Sequence, residues 1–246
     1  CCKKLLTEIP NDIKNNLISC SVAGTSGTLI ACRRDGEPIG KALPDSFSFP
    51  EYSIEINQLL IKDCPVSSTH GSIERALKLI SLYGNKIILM QQSDWINGWM
   101  LNNWESAEAD NNLRINLENP TKSWLINSNK FNWLNYLPKV VYSGHIMGTI
   151  SNKKSHELDL PKHLKIIAGT TESNAKILAT FPNKNDGITI LGSRVFVNKF
   201  VDRPLYYQGI SNHKLLGNWL CRGKSNTGAY ILPDLFNLQY IEELSK

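Results

Sequence analysis

The chain has 246 residues, a net charge of +5 from 27 basic and 22 acidic side chains, and a hydrophobic content of 41%. That length holds one large domain or two modest ones, and the balance is ordinary for a globular protein, excluding a disordered or coiled-coil chain. Lys and Arg never run beyond two together, so the footprint of a nucleic-acid binder is missing, and no apolar run approaches the ~18 residues of a membrane span.

Cys1, Cys2, Cys20, Cys32, Cys64 and Cys221 form no C-x-x-C pair. Cys20 and Cys32 sit in apolar strand-like runs, so buried reduced thiols are expected rather than disulfides or zinc. The histidines are scattered without ligand spacing, which predicts no metal site. The opening CCKKLLTEIP has no signal-peptide core. These features predict a cytoplasmic, reducing setting with neither nucleic acid nor membrane as partner. The first residue is not Met and the chain opens in a helical pattern, which predicts a start within a domain.

Leu5–Leu17 carries helical spacing broken at Pro10, followed by strand Ile18–Ala23. Thr28–Cys32 continues as strand, so the pattern predicts a β-turn-β unit bent at its GTSG sequence. Pro44–Pro65 mixes strand-like and loop-like pieces. In Gly71–Leu82 the apolar positions Ile73, Ala76, Leu77 and Ile80 line one helical face. Ile87–Met100 is apolar and aromatic around Asp94 and Trp95, and Ala109–Leu117 is polar. Leu137–Ile150 turns extended, and the polar, basic Asn152–Glu157 is the expected domain boundary. Beyond it come strand Leu164–Ala168, helix Ser173–Thr180, strands Gly187–Leu191, Val195–Phe200 and Asn218–Cys221, and helix Asp234–Leu244.

Ile166–Ala179 (IIAGTTESNAKILA) carries the most information. A short strand runs into Gly169-Thr170-Thr171, then the acid Glu172, then a helix. This sets one carboxylate and several backbone N–H groups at the carboxyl end of a strand, where open α/β sheets bind ligands. Similar turns recur in VAGTSGTLIA, ITILGSRVFVNK and GKSNTGA, and the repetition suggests an enzyme that handles nucleotide and sugar. GKSNTGA is not a phosphate loop of the G-x-x-x-x-G-K-S/T kind, because its spacing fails.

The segments VAGTSGTLIACRRDGEPI, QQSDWINGW, ADNNLRINLENP, LPKVVYSGHIMGTI, IIAGTTESNAKILA, ITILGSRVFVNK, DRPLYY and NWLCRGKSNTGA occur in one order along nearly the whole chain. Taken together they resemble the FGGY carbohydrate kinases, closest to the xylulokinase and D-ribulokinase-like branch. The resemblance implies an α/β, actin-like and ribonuclease-H-like two-lobed fold, incomplete at both ends. It implies a partial sugar-binding domain over 1–150 and the first half of a nucleotide-binding domain over 151–246. The leading D-x-G-T hairpin and the later glycine-rich adenosine loop of the family are not found in the sequence. Implied chemistry is ATP- and Mg2+-dependent phosphorylation of a ketopentose-like sugar such as xylulose or ribulose, with sugar and ATP as partners and a homodimer left open. The rival reading is a non-catalytic or degraded relative that at most binds sugar.

By resemblance Glu172 stands where the family usually has an aspartate acting as general base, since a sugar hydroxyl needs a proton acceptor as its new bond forms. The added methylene moves the carboxylate by roughly 1 Å, enough to cost on the order of 10²-fold in rate. Read without the resemblance, Glu172 is a helix-start acid favoured by the dipole. Thr25 and Ser26 match the sugar-facing turn, with Ala23 where the family commonly has an acid. The alternative for Ser26 is a locally stabilised turn. Gln92 and Asp94 are expected to hydrogen-bond the sugar with Trp95 packed beneath, the alternative being an acid beside core aromatics. Asp110-Asn111-Asn112 reads best as a helix cap. Gly169, Thr170, Thr171, Gly192, Ser193, Gly223 and Asn226 are expected on the nucleotide or phosphate side. Arg194 replaces the family's Thr or Ser, and an ordinary hairpin bend is the alternative there.

Overall fold

A computed structural model of the chain describes residues 2–59, 70–112, 117–118, 123–124, 136–192, 194–205, 207, 209–215 and 217–244. By packing, it divides into two compact units, Cys1–Ala175 and Lys176–Lys246.

The first unit begins with α1 (Cys2–Thr7) and α2 (Asn11–Lys14), separated at Pro10 as its missing N–H requires. Then follow β1 (Ser19–Gly24), β2 (Leu29–Cys32), α3 (Ser53–Leu59) and α4 (His70–Tyr83). Of the α4 stripe predicted from the 3.6-residue period, Ile73, Ala76 and Leu77 are buried with Leu29, Ala31 and Ile56 in one core and Ile80 packs half-buried against it, while Leu79, not predicted, is buried there too. Next come β3 (Ile88–Gln91), α5 (Gln92–Leu101), β4 (Ser106–Glu108) and α6 (Ala109–Asn112). The short strands β5 (Leu117–Glu118) and β6 (Ser123–Trp124) pair with each other. β7 (Lys139–Val141), β8 (Ile146–Thr149), α7 (Asn152–Leu158), β9 (Lys165–Thr171) and the start of α8 (Glu172–Leu178), whose last residues belong to the second unit, complete the order.

Two expectations change here. β1 and β2 do not pair across their turn. β1 runs parallel to β9, while β2 runs antiparallel to β3. Gly27, at φ 95°, turns the chain from one sheet to the other, a conformation glycine adopts at no steric cost. Asn152–Glu157, expected as a boundary, lies in helix α7. Ser151 caps this helix by accepting from the Lys154 N–H, and its Leu158 is buried with Ile150, Leu160, Leu164 and Ile166. β9 lies between β1 and β8 in one sheet, so packing groups it with the residues before 150 and the division falls after Ala175.

The second unit contains β10 (Gly187–Leu191), β11 (Val195–Val201), β12 (Ile210–Leu215) and β13 (Asn218–Ser225) in an antiparallel sheet ordered β10-β11-β13-β12. Ile177, Phe200, Leu215 and Leu220 form its core. β13 extends four residues beyond the predicted strand end at Cys221, and β12 was not predicted. The helices α9 (Leu232–Leu235) and α10 (Leu238–Leu244) close the chain where one helix was expected. Cys32 and Cys221 are buried, Cys2 and Cys20 half-buried, and all four are free thiols; Cys1 and Cys64 lie outside the described residues. Burial pushes the Cys32 thiol up to about 12. Among the described residues no helix is long and apolar enough to cross a membrane.

Candidate active site

The turn after β1 is tied down from three directions. Gln91, at the end of β3, accepts the Gly27 N–H at 3.1 Å through Oε1, and Gln92, opening α5, accepts the Thr25 N–H at 3.2 Å. Arg75 on α4 donates from Nε to the Gly27 carbonyl at 2.9 Å. Ser26 Oγ donates to the Asn111 carbonyl at 3.4 Å. Thr25 and Gln92 are exposed and Ser26 is half-buried, and the turn brings these three residues together.

Trp95 is half-buried and packs with Ile30, Cys32, Ile88 and Met90. Its indole Nε1 donates to the Gly36 carbonyl at 2.9 Å, satisfying the one polar atom that the ring carries. One flank of the ring borders a mainly apolar cleft of about 480 Å³, shared with Thr28, Gln92, Ile96 and Trp99.

Asp94 departs from its expected place at the sugar. It is fully buried, its Oδ1 accepting the Glu108 N–H at 2.7 Å and its Oδ2 accepting Asn112 Nδ2 at 2.7 Å. Burial pushes its carboxyl up to about 7, although those two donors pull the other way. Glu108, which sequence reasoning did not single out, lies beside it with no exposed surface. Glu108 caps α6: its carboxylate accepts the Asp110 N–H at 2.6 Å and the Asn111 N–H at 3.0 Å. The cap expected of Asp110-Asn111-Asn112 therefore comes from the residue two before it. Burial first, then the neighbouring Asp110 charge, raises Glu108 to about 8. The only sequence signal was the pair of acids at 108 and 110, whose meaning depends on burial that a local pattern does not carry.

Asp110 connects this interior to the β9–α8 corner. Its Oδ2 accepts from Thr170 Oγ1 at 2.7 Å and from Ser143 Oγ at 2.8 Å. Asn174 Nδ2 donates to Thr170 Oγ1 at 3.1 Å, and the Asn174 N–H donates to Thr171 Oγ1 at 3.2 Å. Thr170 and Thr171 are thus buried with their hydroxyls engaged inside the protein. Gly169 is demanded by packing, because a Cβ there would meet the Val22 carbonyl oxygen on β1 at 2.1 Å. Glu172 is the first residue of α8 and is exposed. Hydrogen bonds thus run from Ser26 through Asn111, Glu108, Ser143, Asp110 and Thr170 to Asn174.

In the second unit, Gly192 follows β10 and its carbonyl accepts the Ala229 N–H at 2.8 Å. Gly223 lies within β13, paired with Val197 and Ile210. Asn226 is exposed just beyond β13, beside the Ser225–Thr227 hydroxyl contact of 2.6 Å. Arg194 is exposed, and Ser193 lies outside the described residues.

Among the described residues the buried carboxylates offer no open set of oxygens for Mg2+. The described oxygen contacts of Asp94 and Glu108 are with protein groups, and Asp110 Oδ2 already accepts two hydroxyls. Among the described residues no group of His, Cys, Asp and Glu is arranged to hold a metal ion.

The fold is that of carbohydrate-kinase structures. The xylulose kinase from Rhodospirillum rubrum superposes with a TM-score of 0.77 at 12% identity, over 95% of this chain and 52% of that one. A glycerol kinase from Plasmodium falciparum, solved with ADP, gives 0.74 at 15% identity, over 95% and 53%. A carbohydrate kinase from Novosphingobium aromaticivorans gives 0.73 at 14% identity, over 94% and 56%. The chain spans about half the length of each. No protein-family model matches the sequence.

Proposed function

We propose that this chain is the sugar-handling and first nucleotide-side portion of an ATP-dependent carbohydrate kinase of FGGY type, acting on a ketopentose such as xylulose or ribulose. The carrying observation is the superposition of 94–95% of the chain on carbohydrate kinases, with an exposed acid, Glu172, where strand β9 meets helix α8. In this reading Glu172 accepts the proton of the attacking sugar hydroxyl, because a neutral hydroxyl gains nucleophilicity only as its proton leaves. Ser26, Thr25 and Gln92 hold sugar hydroxyls directly. Asp94 acts one step behind them, orienting the α6 turn through Asn112. Trp95 supplies packing beneath. Gly169, Thr170 and Thr171 frame the corner that bears Glu172, while Gly192, Ser193, Gly223 and Asn226 serve the nucleotide side. ATP supplies the phosphoryl group, and catalysis rests on positioning and charge.

The test is ketopentose-dependent ADP release by the protein that carries this sequence, compared with its Glu172→Gln variant. Loss of release in the variant supports the reading, and equal release by both sinks it.

A further inference from the structure

Ser143 Oγ lies 2.8 Å from Glu108 Oε1 and 2.8 Å from Asp110 Oδ2. A serine hydroxyl has one hydrogen, so it donates to one of these oxygens. The other either donates a hydrogen to Ser143 or faces it lone pair to lone pair. Thr170 indicates the direction. Its oxygen accepts from Asn174 Nδ2, so its own hydrogen points to Asp110 Oδ2. Asp110 Oδ2 thus accepts a hydroxyl hydrogen and Glu108 Oε1 accepts the Asp110 N–H at 2.6 Å, so the contacts call for one hydrogen between the two carboxyls, and burial together with the Asp110 charge favours Glu108 as its holder. The order is Glu108 O–H to Ser143, Ser143 O–H to Asp110, Thr170 O–H to Asp110, and Asn174 N–H to Thr170.

We infer that Glu108 and Asp110 hold one proton between them through the Ser143 hydroxyl, and that Asp110 thereby positions the β9–α8 corner bearing Glu172. Among the described residues, the titratable groups facing Glu108 are Asp94 from α5 and Asp110 from α6, with Tyr142, after β7, packed against the neighbouring Ala109. Like charges in a buried space favour keeping one carboxyl neutral, which agrees with burial and Asp110 raising Glu108. Both residues are positioning residues. The consequence for catalysis rests on Glu172 being the proton acceptor, whereas the shared proton does not.

Carboxyl-carbon NMR of the full chain, labelled at Asp and Glu side chains, reads the proton directly. At pH 6 the Glu108 signal is expected at the protonated position, and Asp110→Asn should lower its titration midpoint by roughly one unit or more. Amide hydrogen exchange at Thr171–Asn174, corrected for intrinsic rates, reads the positioning. Asp110→Ala should speed it at least tenfold. Glu108→Gln, which has no titrating proton and whose NH2 takes the place of an oxygen that accepts an N–H, should remove the fall in protection above pH 8 whatever it does to the level below. Should Asp110→Ala not fold, the parent and Glu108→Gln comparison across pH carries the test alone. An ionised Glu108 at pH 6, or identical pH dependence of exchange in parent and Glu108→Gln, overturns the proposal. Undiminished phosphoryl transfer by Glu172→Gln would sink the kinase reading separately, and neither NMR nor exchange depends on turnover.

Discussion

Arg75 on α4 donates from Nε to the carbonyl of Gly27, 2.9 Å away, so a charged group with 2% exposure holds the turn that bears Ser26. The same guanidinium donates from one terminal nitrogen to the Asp45 and Phe47 carbonyls and from the other to Ser72 Oγ. Burying a cation is costly unless its donors are satisfied, and here each of the three nitrogens has an acceptor.

Arg75→Ala is therefore expected to destabilise the first unit by about 3 kcal/mol or more, because each charge-assisted bond contributes about 1.5–3 kcal/mol and the stranded carbonyls add a desolvation cost. Arg75→Lys should recover less than half, since an ammonium lacks the planar fork. Urea denaturation followed by fluorescence checks both. A shift below 1 kcal/mol for the alanine variant would show that the turn is held by other means.

The stability of the first unit should fall as pH rises from about 4 to about 8. Glu108 and Asp94 have folded-state values raised to about 8 and about 7, above their ordinary 4.5 and 3.8. Between those limits the folded state retains protons that the unfolded chain has released, so the slope of unfolding free energy with pH is negative. The stabilisation is fully present below about pH 4 and lost through pH 7–8. Glu108→Gln should flatten the upper part of this curve. Melting temperatures across pH 4–9 check it, and a parent curve that rises throughout that range would refute the assignment.

Glu172→Gln is expected to lower phosphoryl transfer by about 10²–10⁴-fold, the usual contribution of a general base. On the proposed function, Glu172→Asp should keep or raise the rate, since it supplies the shorter acid that the resemblance implies at this position. Steady-state ADP release at saturating ketopentose checks both, and a dead Asp variant beside an active parent would show that the glutamate's length is required.

Gly169→Ala should cost at least about 2 kcal/mol, because its methyl would meet the Val22 carbonyl oxygen at 2.1 Å, and neither strand can yield without losing ladder bonds. Thermal melts compare it with Gly187→Ala, where a Cβ meets nothing within 4 Å. Equal stability of the two variants would contradict the close approach of β1 and β9.

The sequence made some elements readable because their signal is local. The stripe on α4, the strand–acid–helix order around Glu172 and the strands Gly187–Leu191 and Val195–Phe200 all lie within short windows. Distant pairing is not local, which is why β1 and β2 looked like one unit although their partners are β9 and β3. β12 reads ISNHKL, a polar run whose strand character comes from its ladder with β13 rather than from its own pattern. At the site, Thr25, Gln92 and Glu172 are exposed. Asp94 and Glu108 did not reveal themselves, since an acid looks the same in sequence whether solvated or buried.

The parallel ladder of β1 with β9 joins Ser19 to Lys165, with most of the first unit's chain between them. Closing so distant a pair costs loop entropy before any contact rewards it, so such pairings form late and slow the folding rate. During synthesis β1 must wait for its β9 partner until the chain has grown past Thr171. The Glu172 corner is therefore among the last parts of this unit to be assembled. A helper that shields β1 during translation would act on the strand against which β9, with the acid at its end, later pairs.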